Sequence, residues 1–254
     1  MPSDLAGPPH ERTPIPESLR GALESWGLGS AHLRPVWQNS MGGLTFAVAP
    51  GGAQHPVDYY AKWNPLTTGE SLADEAERLA WLAGKHPAPQ VVALTSDAAG
   101  EVLLTHALAG DSAVSARWQH EPETALRALG HGLRQLHEVA IDQCPYSWRV
   151  EERQRHATTT AVVGAEPPSI DKLVLCQGDP CAPNTLIDPE GEFLAHVDLA
   201  RLGVADRWAD LAVMSMSLEW NYRDYDEQVF WDAYGIDPDR ERLAYYRDLW
   251  NAEE

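Results

Sequence analysis

Long apolar runs are missing from this chain of 254 residues. No stretch approaches the roughly 18 uncharged apolar residues that a membrane span needs. The opening segment, MPSDLAGPPHERTPIPE, lacks the apolar stretch of a secretion signal, so a cytoplasmic protein without a membrane partner is expected. Cysteine is also scarce: Cys144, Cys176 and Cys181 are the whole supply. An odd count without an export signal argues against a disulfide framework, and no Cys-x-x-Cys pair favours zinc. Basic residues are few as well. Nineteen Lys and Arg stand against 38 Asp and Glu, a formal charge of −19. Such a field repels nucleic acid and attracts cations, though it also serves plain solubility, so charge alone does not decide for a cationic partner. Neither Gly-x4-Gly-Lys-Ser/Thr nor Gly-x-Gly-x-x-Gly occurs, which disfavours the nucleotide folds built on those loops.

What is present divides near residue 110. Residues 1–15 are rich in proline and charge and read as a loose arm. HLRPVWQ, LTFAVAP and VDYYAKW are β-rich and separated by Gly and Pro, so they read as strands. SLADEAERLAWLAG reads as an amphipathic helix with Ser71 as its N-cap and Asp74 at the capping-box position. Two more strands follow in QVVALTSDAAGEVLLTHAL. Beyond Gly110 the texture turns helical. Leu126, Leu129, Leu133 and Leu136 recur at spacings of three and four behind Pro122, predicting a helix over 121–139. KLVLCQ reads as a buried strand, TLIDPEGEFLAHVDLA as a hairpin and RWADLAVMSMSLEW as a helix. The expected organisation is therefore an arm (1–15), a strand-rich nucleotide-binding lobe (16–108) and a helix-rich lobe (109–254). The fold class is α+β and bilobal.

The chemistry concentrates in LCQGDPCAPNTLIDPEGEFLAHVDLARLGVADRWADL. Asp179 follows an apolar strand and a glycine, so its carboxylate belongs on a loop at a strand end. Asn184 lies five residues on. Asp198 follows the second hairpin strand, which antiparallel pairing returns beside the same loop. Two carboxylates and an amide oxygen at one spot suit Mg²⁺, a hard cation that takes oxygen ligands. Phosphoryl transfer needs that combination of metal and hydroxyl-orienting carboxylate.

The pattern Gly-Asp-x4-Asn, then Asp-Leu-x-Arg-Leu-Gly-x-Ala-Asp-Arg-x-x-Asp, resembles the aminoglycoside 3′- and 3″-phosphotransferases, whose fold is protein-kinase-like. The resemblance runs from about residue 35 onward. It implies that Asp179 positions the substrate hydroxyl and that Asn184 and Asp198 hold magnesium. It also implies that Lys62, in YYAKW, meets the nucleotide phosphates and that Glu75, on the following helix, holds Lys62. Ser40, Met41 and Gly42 align with the phosphate-covering turn, and Ala107 and Leu108 with the segment that meets adenine. The implied cofactors are ATP or GTP with Mg²⁺, and the implied partner is an aminoglycoside bound by a monomer. Candidates for its ammonium groups are Glu151, Glu152, Asp248, Glu253 and Glu254. His137 is expected as a packed helix residue, Asp210 as a brace for the Asp179 loop, and Trp220, Tyr222, Tyr225 and Trp231 mainly as core.

The sequence departs from the family pattern at three places. Gln177 stands where a histidine is usual, Ala200 where a glycine is usual, and the interval 145–176 is short. The short interval keeps a second possibility open, a kinase of another small hydroxyl compound. Gln177 and Ala200 keep a third, a non-catalytic nucleotide-binding module. The intact Asp179, Asn184, Asp198 and Lys62 argue for catalysis.

Overall fold

The architecture comes from a computed structural model that describes residues 6–39, 41–68, 71–156 and 166–252. Ser40, Glu253 and Glu254 lie outside the described residues. The chain divides into two compact units. One comprises residues 1–83 and 89–108, the other residues 84–88 and 109–254.

In the first unit, helix α1 (Glu17–Ser25) precedes strands β1 (His32–Gln38), β2 (Leu44–Ala49) and β3 (Tyr59–Pro65), helix α2 (Leu72–Leu82), and strands β4 (Val91–Ser96) and β5 (Gly100–His106). The strands form one antiparallel sheet in the order β1-β2-β3-β5-β4. Leu19, Ala22 and Leu23 fall at helical spacing on α1 and pack against Phe46, Val48, Ala61, Val102 and Leu104. The expected N-cap of α2 is present, with Ser71 Oγ accepting from the Asp74 N–H at 3.2 Å. Residues 6–15, expected as part of a loose arm, are fastened at two points. Gly7 and Gln38 exchange both backbone hydrogen bonds, and Ile15 packs on the sheet core.

In the second unit, the short strand β6 (Asp111–Ser112) pairs with β8 (Thr185–Ile187), which pairs with β9 (Phe193–His196). Strand β7 (Leu173–Cys176) pairs with β10 (Gly203–Asp206). Around them lie helices α3 (Ala116–His120), α4 (Pro122–His137), α5 (Val150–His156), α6 (Trp208–Asn221), α7 (Gln228–Tyr234) and α8 (Arg240–Asn251). Every residue of α6 from Trp208 to Leu218 is buried, as expected of a helix apolar on nearly all sides. Leu126, Leu129 and Leu133 of α4 join the same core, each burial being worth about 1.5–3 kcal/mol. Residues 84–88, expected in the first part, group with the second unit. His86 Nε2 lies 2.9 Å from His196 Nδ1, and the Pro87 carbonyl accepts from the His196 N–H. Among the described residues no helix is long and apolar enough to cross a membrane.

Candidate active site

The main candidate residues of the first unit, Lys62 and Glu75, lie on β3 and α2. Lys62 Nζ sits 2.7 and 2.9 Å from the two carboxylate oxygens of Glu75. Glu75 is almost fully buried and Lys62 partly so. Breaking this pair costs more than breaking a solvated surface pair, because removing the lysine would strand a buried carboxylate. The turn between β1 and β2 is folded on Asn39. Its side-chain oxygen accepts the N–H groups of Met41 and Gly43 at 3.1 and 2.6 Å, and its carbonyl accepts that of Gly42. Gly42 has φ +90°, a conformation open to glycine. The N–H groups of Met41 and Gly42, in the turn expected to cover phosphates, are both bonded to Asn39 here. At the end of β5, the Ala107 N–H donates to the Asp58 carbonyl at 2.9 Å, and Ala107 and Leu108 are half-buried.

In the second unit the sequence-predicted loop and hairpin meet. Asn184 Nδ2 donates to the Asp179 carbonyl at 3.0 Å, and the Asn184 carbonyl accepts from the Val197 N–H at 2.9 Å. Thr185 pairs with His196, so Asp198 begins two residues beyond the hairpin ladder, beside Asn184. Asp198 holds φ +59°, the left-handed region that few non-glycine residues adopt and that clusters at functional sites.

Asp210 organises the Asp179 loop from below. Its carboxylate accepts the Gln177 N–H at 2.6 Å and the Gly178 N–H at 3.1 Å, and it lies 3.1 Å from His137 Nε2. His137 Nδ1 contacts the Tyr234 hydroxyl at 2.7 Å, so the histidine is a packed strut of α4, as expected. Ser217 Oγ accepts the Ala182 N–H, tying the far side of the loop to α6. His137, Cys176 and Asp210 bring ligand-type atoms within 4.8 Å of one another. Each of those side chains is already engaged in a hydrogen bond, Cys176 with the Asp206 carbonyl, so the cluster is a brace. Gln177 does more than fill the place of a histidine. Its Nε2 donates to the Val197 carbonyl at 3.0 Å, linking the Asp179 loop to the residue before Asp198.

The electrostatics distinguish the acids. Burial pushes the Asp179 carboxyl above the usual carboxylate range, and Asp198 adds to this; Arg201 and the Cys181 N–H and thiol pull the other way. Asp179 Oδ1 is buried with no hydrogen-bond partner among the described residues. Burial likewise keeps the Cys176 and Cys181 thiols protonated at neutral pH. A buried acceptor at Asp179, the Asn184 side-chain oxygen left over once Nδ2 is committed, and the Asp198 carboxylate form an all-oxygen donor set. That chemistry fits a hard divalent cation.

Sequence reasoning did not find the surroundings of Arg201. Its guanidinium lies over the rings of Trp148 and Trp250, at 5.8 and 5.4 Å from their centroids. The motif flagged Arg201, but its partners are distant in sequence. Glu151 and Glu152 occupy the first turn of α5, just after Trp148, and Asp248 is exposed near the end of α8, just before Trp250. The candidate substrate acids thus come from two segments that converge on Arg201. Tyr222 and Trp231 are core, and Trp220 is partly exposed.

Comparison with known proteins identifies the family. Residues 42–246 match the model of the "Phosphotransferase enzyme family". The chain belongs to this family. It is 32% identical to streptomycin 3″-kinase of Streptomyces griseus, covering 75% of this chain and 83% of that protein. Aminoglycoside 3′-phosphotransferase of Streptomyces fradiae is 31% identical, covering 78% and 87%. Among solved structures, aminoglycoside phosphotransferase APH(3″)-Id of Streptomyces rimosus superposes with a TM-score of 0.74 at 26% identity, over 94% of this chain and 99% of that one. The same enzyme in complex with ADP and streptomycin gives 0.73. The phosphotransferase match makes the protein an enzyme of the kinase type with a protein-kinase-like α+β fold.

Proposed function

We propose that this phosphotransferase moves the γ-phosphate of ATP to a hydroxyl of an aminoglycoside, as a 3′- or 3″-type antibiotic kinase whose role is resistance. The observation that carries the reading is the Asp179 loop. A carboxylate oxygen is buried there without a partner among the described residues, and Asn184 is anchored through its nitrogen so that its oxygen is left for a cation. In the mechanism Asp179 accepts a hydrogen bond from the substrate hydroxyl and orients it in line with the γ-phosphorus. Asn184 and Asp198 would hold Mg²⁺. When bound, that ion neutralises charge on the phosphates. Lys62, held by Glu75, binds the α- and β-phosphates of ATP. Positioning and charge stabilisation then supply most of the rate.

An aminoglycoside is polycationic, in keeping with the formal charge of −19. Glu151, Glu152 and Asp248 are the described acids assigned to its ammonium groups. Asp179→Asn tests the central role. It keeps the side-chain shape and removes the charge that attracts the hydroxyl proton, so turnover is lost while ATP binding persists. Near-normal turnover in this variant would remove Asp179 from the mechanism.

A further inference from the structure

Helix α2 matters because it carries Glu75, and the structure shows a second sheet residue gripping it. Strands β3 and β5 are antiparallel, with Lys62 opposite Leu103 and Asn64 opposite Glu101. Residues two apart on a strand face the same way, and directly paired residues share a face. Glu101 therefore stands two pairs along from Lys62, on the same face of the sheet. Its Oε2 accepts the Leu72 N–H at 2.6 Å.

Leu72 is the first residue of α2, and Glu75 lies one turn further along the helix. The first N–H groups of a helix have no partner within it, and the N-terminal end of the helix dipole favours a negative charge. Ser71 satisfies the Asp74 N–H at this end. Glu101 satisfies that of Leu72 and brings the charge. The first turn of α2 is thus pinned from two adjacent strands, by Lys62 through the Glu75 side chain and by Glu101 through the backbone.

We propose that Glu101 is a positioning residue for nucleotide binding: as a carboxylate cap supplied by the sheet, it fixes the first turn of α2 and so holds Glu75 against Lys62. The inference rests on reading Lys62 as the phosphate contact. It predicts that Glu101 acts through Glu75 rather than by general support of the fold.

The test is a double-mutant cycle read by titrating the full chain with ATP and Mg²⁺ in a calorimeter. Glu101→Ala weakens ATP binding about tenfold, the scale of one lost hydrogen bond to a charged group. Glu101→Gln retains an acceptor for the Leu72 N–H and stays within about threefold of the parent. In a Glu75→Ala background, Glu101→Ala has little further effect, because the group it positions is gone. If the alanine variant fails to fold, Glu101→Met keeps the chain length, removes the acceptor and carries the same expectation. Unchanged ATP affinity in Glu101→Ala, or an equal loss with and without Glu75, overturns the proposal. The parent reading fails separately: Lys62→Ala and Glu75→Ala would then leave ATP affinity untouched.

Discussion

Replacing Asp210 by alanine should damage the second unit more than any substitution on its surface. Asp210 is fully buried and receives the Gln177 and Gly178 N–H groups at 2.6 and 3.1 Å, with His137 at 3.1 Å. Alanine would leave two buried backbone donors and one imidazole without their acceptor. Each orphaned buried donor costs about 1–3 kcal/mol, so the three together cost about 3–9 kcal/mol. Whole-domain stability is typically about 5–15 kcal/mol, so the loss is a large part of what holds the unit folded. Asp210→Asn keeps one acceptor oxygen and turns an amide towards a donor, so about half the loss is expected. Urea unfolding followed by tryptophan fluorescence reads the change, since Trp208 lies two residues away in the same buried helix. A loss below about 1 kcal/mol for the alanine variant would refute the assignment of Asp210 as the brace of the Asp179 loop.

Two further predictions concern the same region. Gly178 has φ +87°, and an added Cβ would stand 2.3 Å from the Arg201 carbonyl oxygen. Gly178→Ala should therefore cost more than the about 1–2 kcal/mol of left-handed backbone strain alone and lower the melting temperature by several degrees, and a wild-type melting curve would contradict this. The buried His86 is held neutral, its pKa lowered to about 4 by burial and by His137. The unfolded imidazole gains its proton near pH 6.5 and the folded one does not until about pH 4. Stability is therefore fully present above pH 6.5 and is lost as pH falls through that window, by about 3 kcal/mol. His86→Asn should flatten this dependence between pH 7 and pH 4.5 in urea titrations, and an unaltered slope would show that another group governs it.

Much of the site was legible because its parts are local. Asp179, Asn184 and Asp198 lie within twenty residues, and the turn at 188–191 dictates the hairpin that returns Asp198 to Asn184. The capping of α2 by Ser71 could be read from the local order of residues, with Asp74 three positions on. Helix α1 escaped notice because the proline- and charge-rich segment before it suggested a loose arm. Its signal was present all the same, in Pro16 ahead of Glu17 and in Leu19, Ala22 and Leu23 on one face. Strand β10 was hidden inside the motif that supplies Arg201 and Asp210; only its pairing with β7 makes it a strand. Least legible were long-range partnerships of side chains. Glu101 with Leu72, Gln177 with Val197, His86 with His196, and Arg201 with Trp148 and Trp250 join residues whose spacing carries no period.

The most direct test is nucleotide consumption by the purified protein with ATP and Mg²⁺ in the presence of kanamycin, neomycin or streptomycin, with Asp179→Ala as control. The account predicts turnover with at least one of these drugs, abolished in the control. ATP binding without turnover on any of the three would contradict the aminoglycoside assignment and turn attention to another hydroxyl compound, in line with the short interval 145–176.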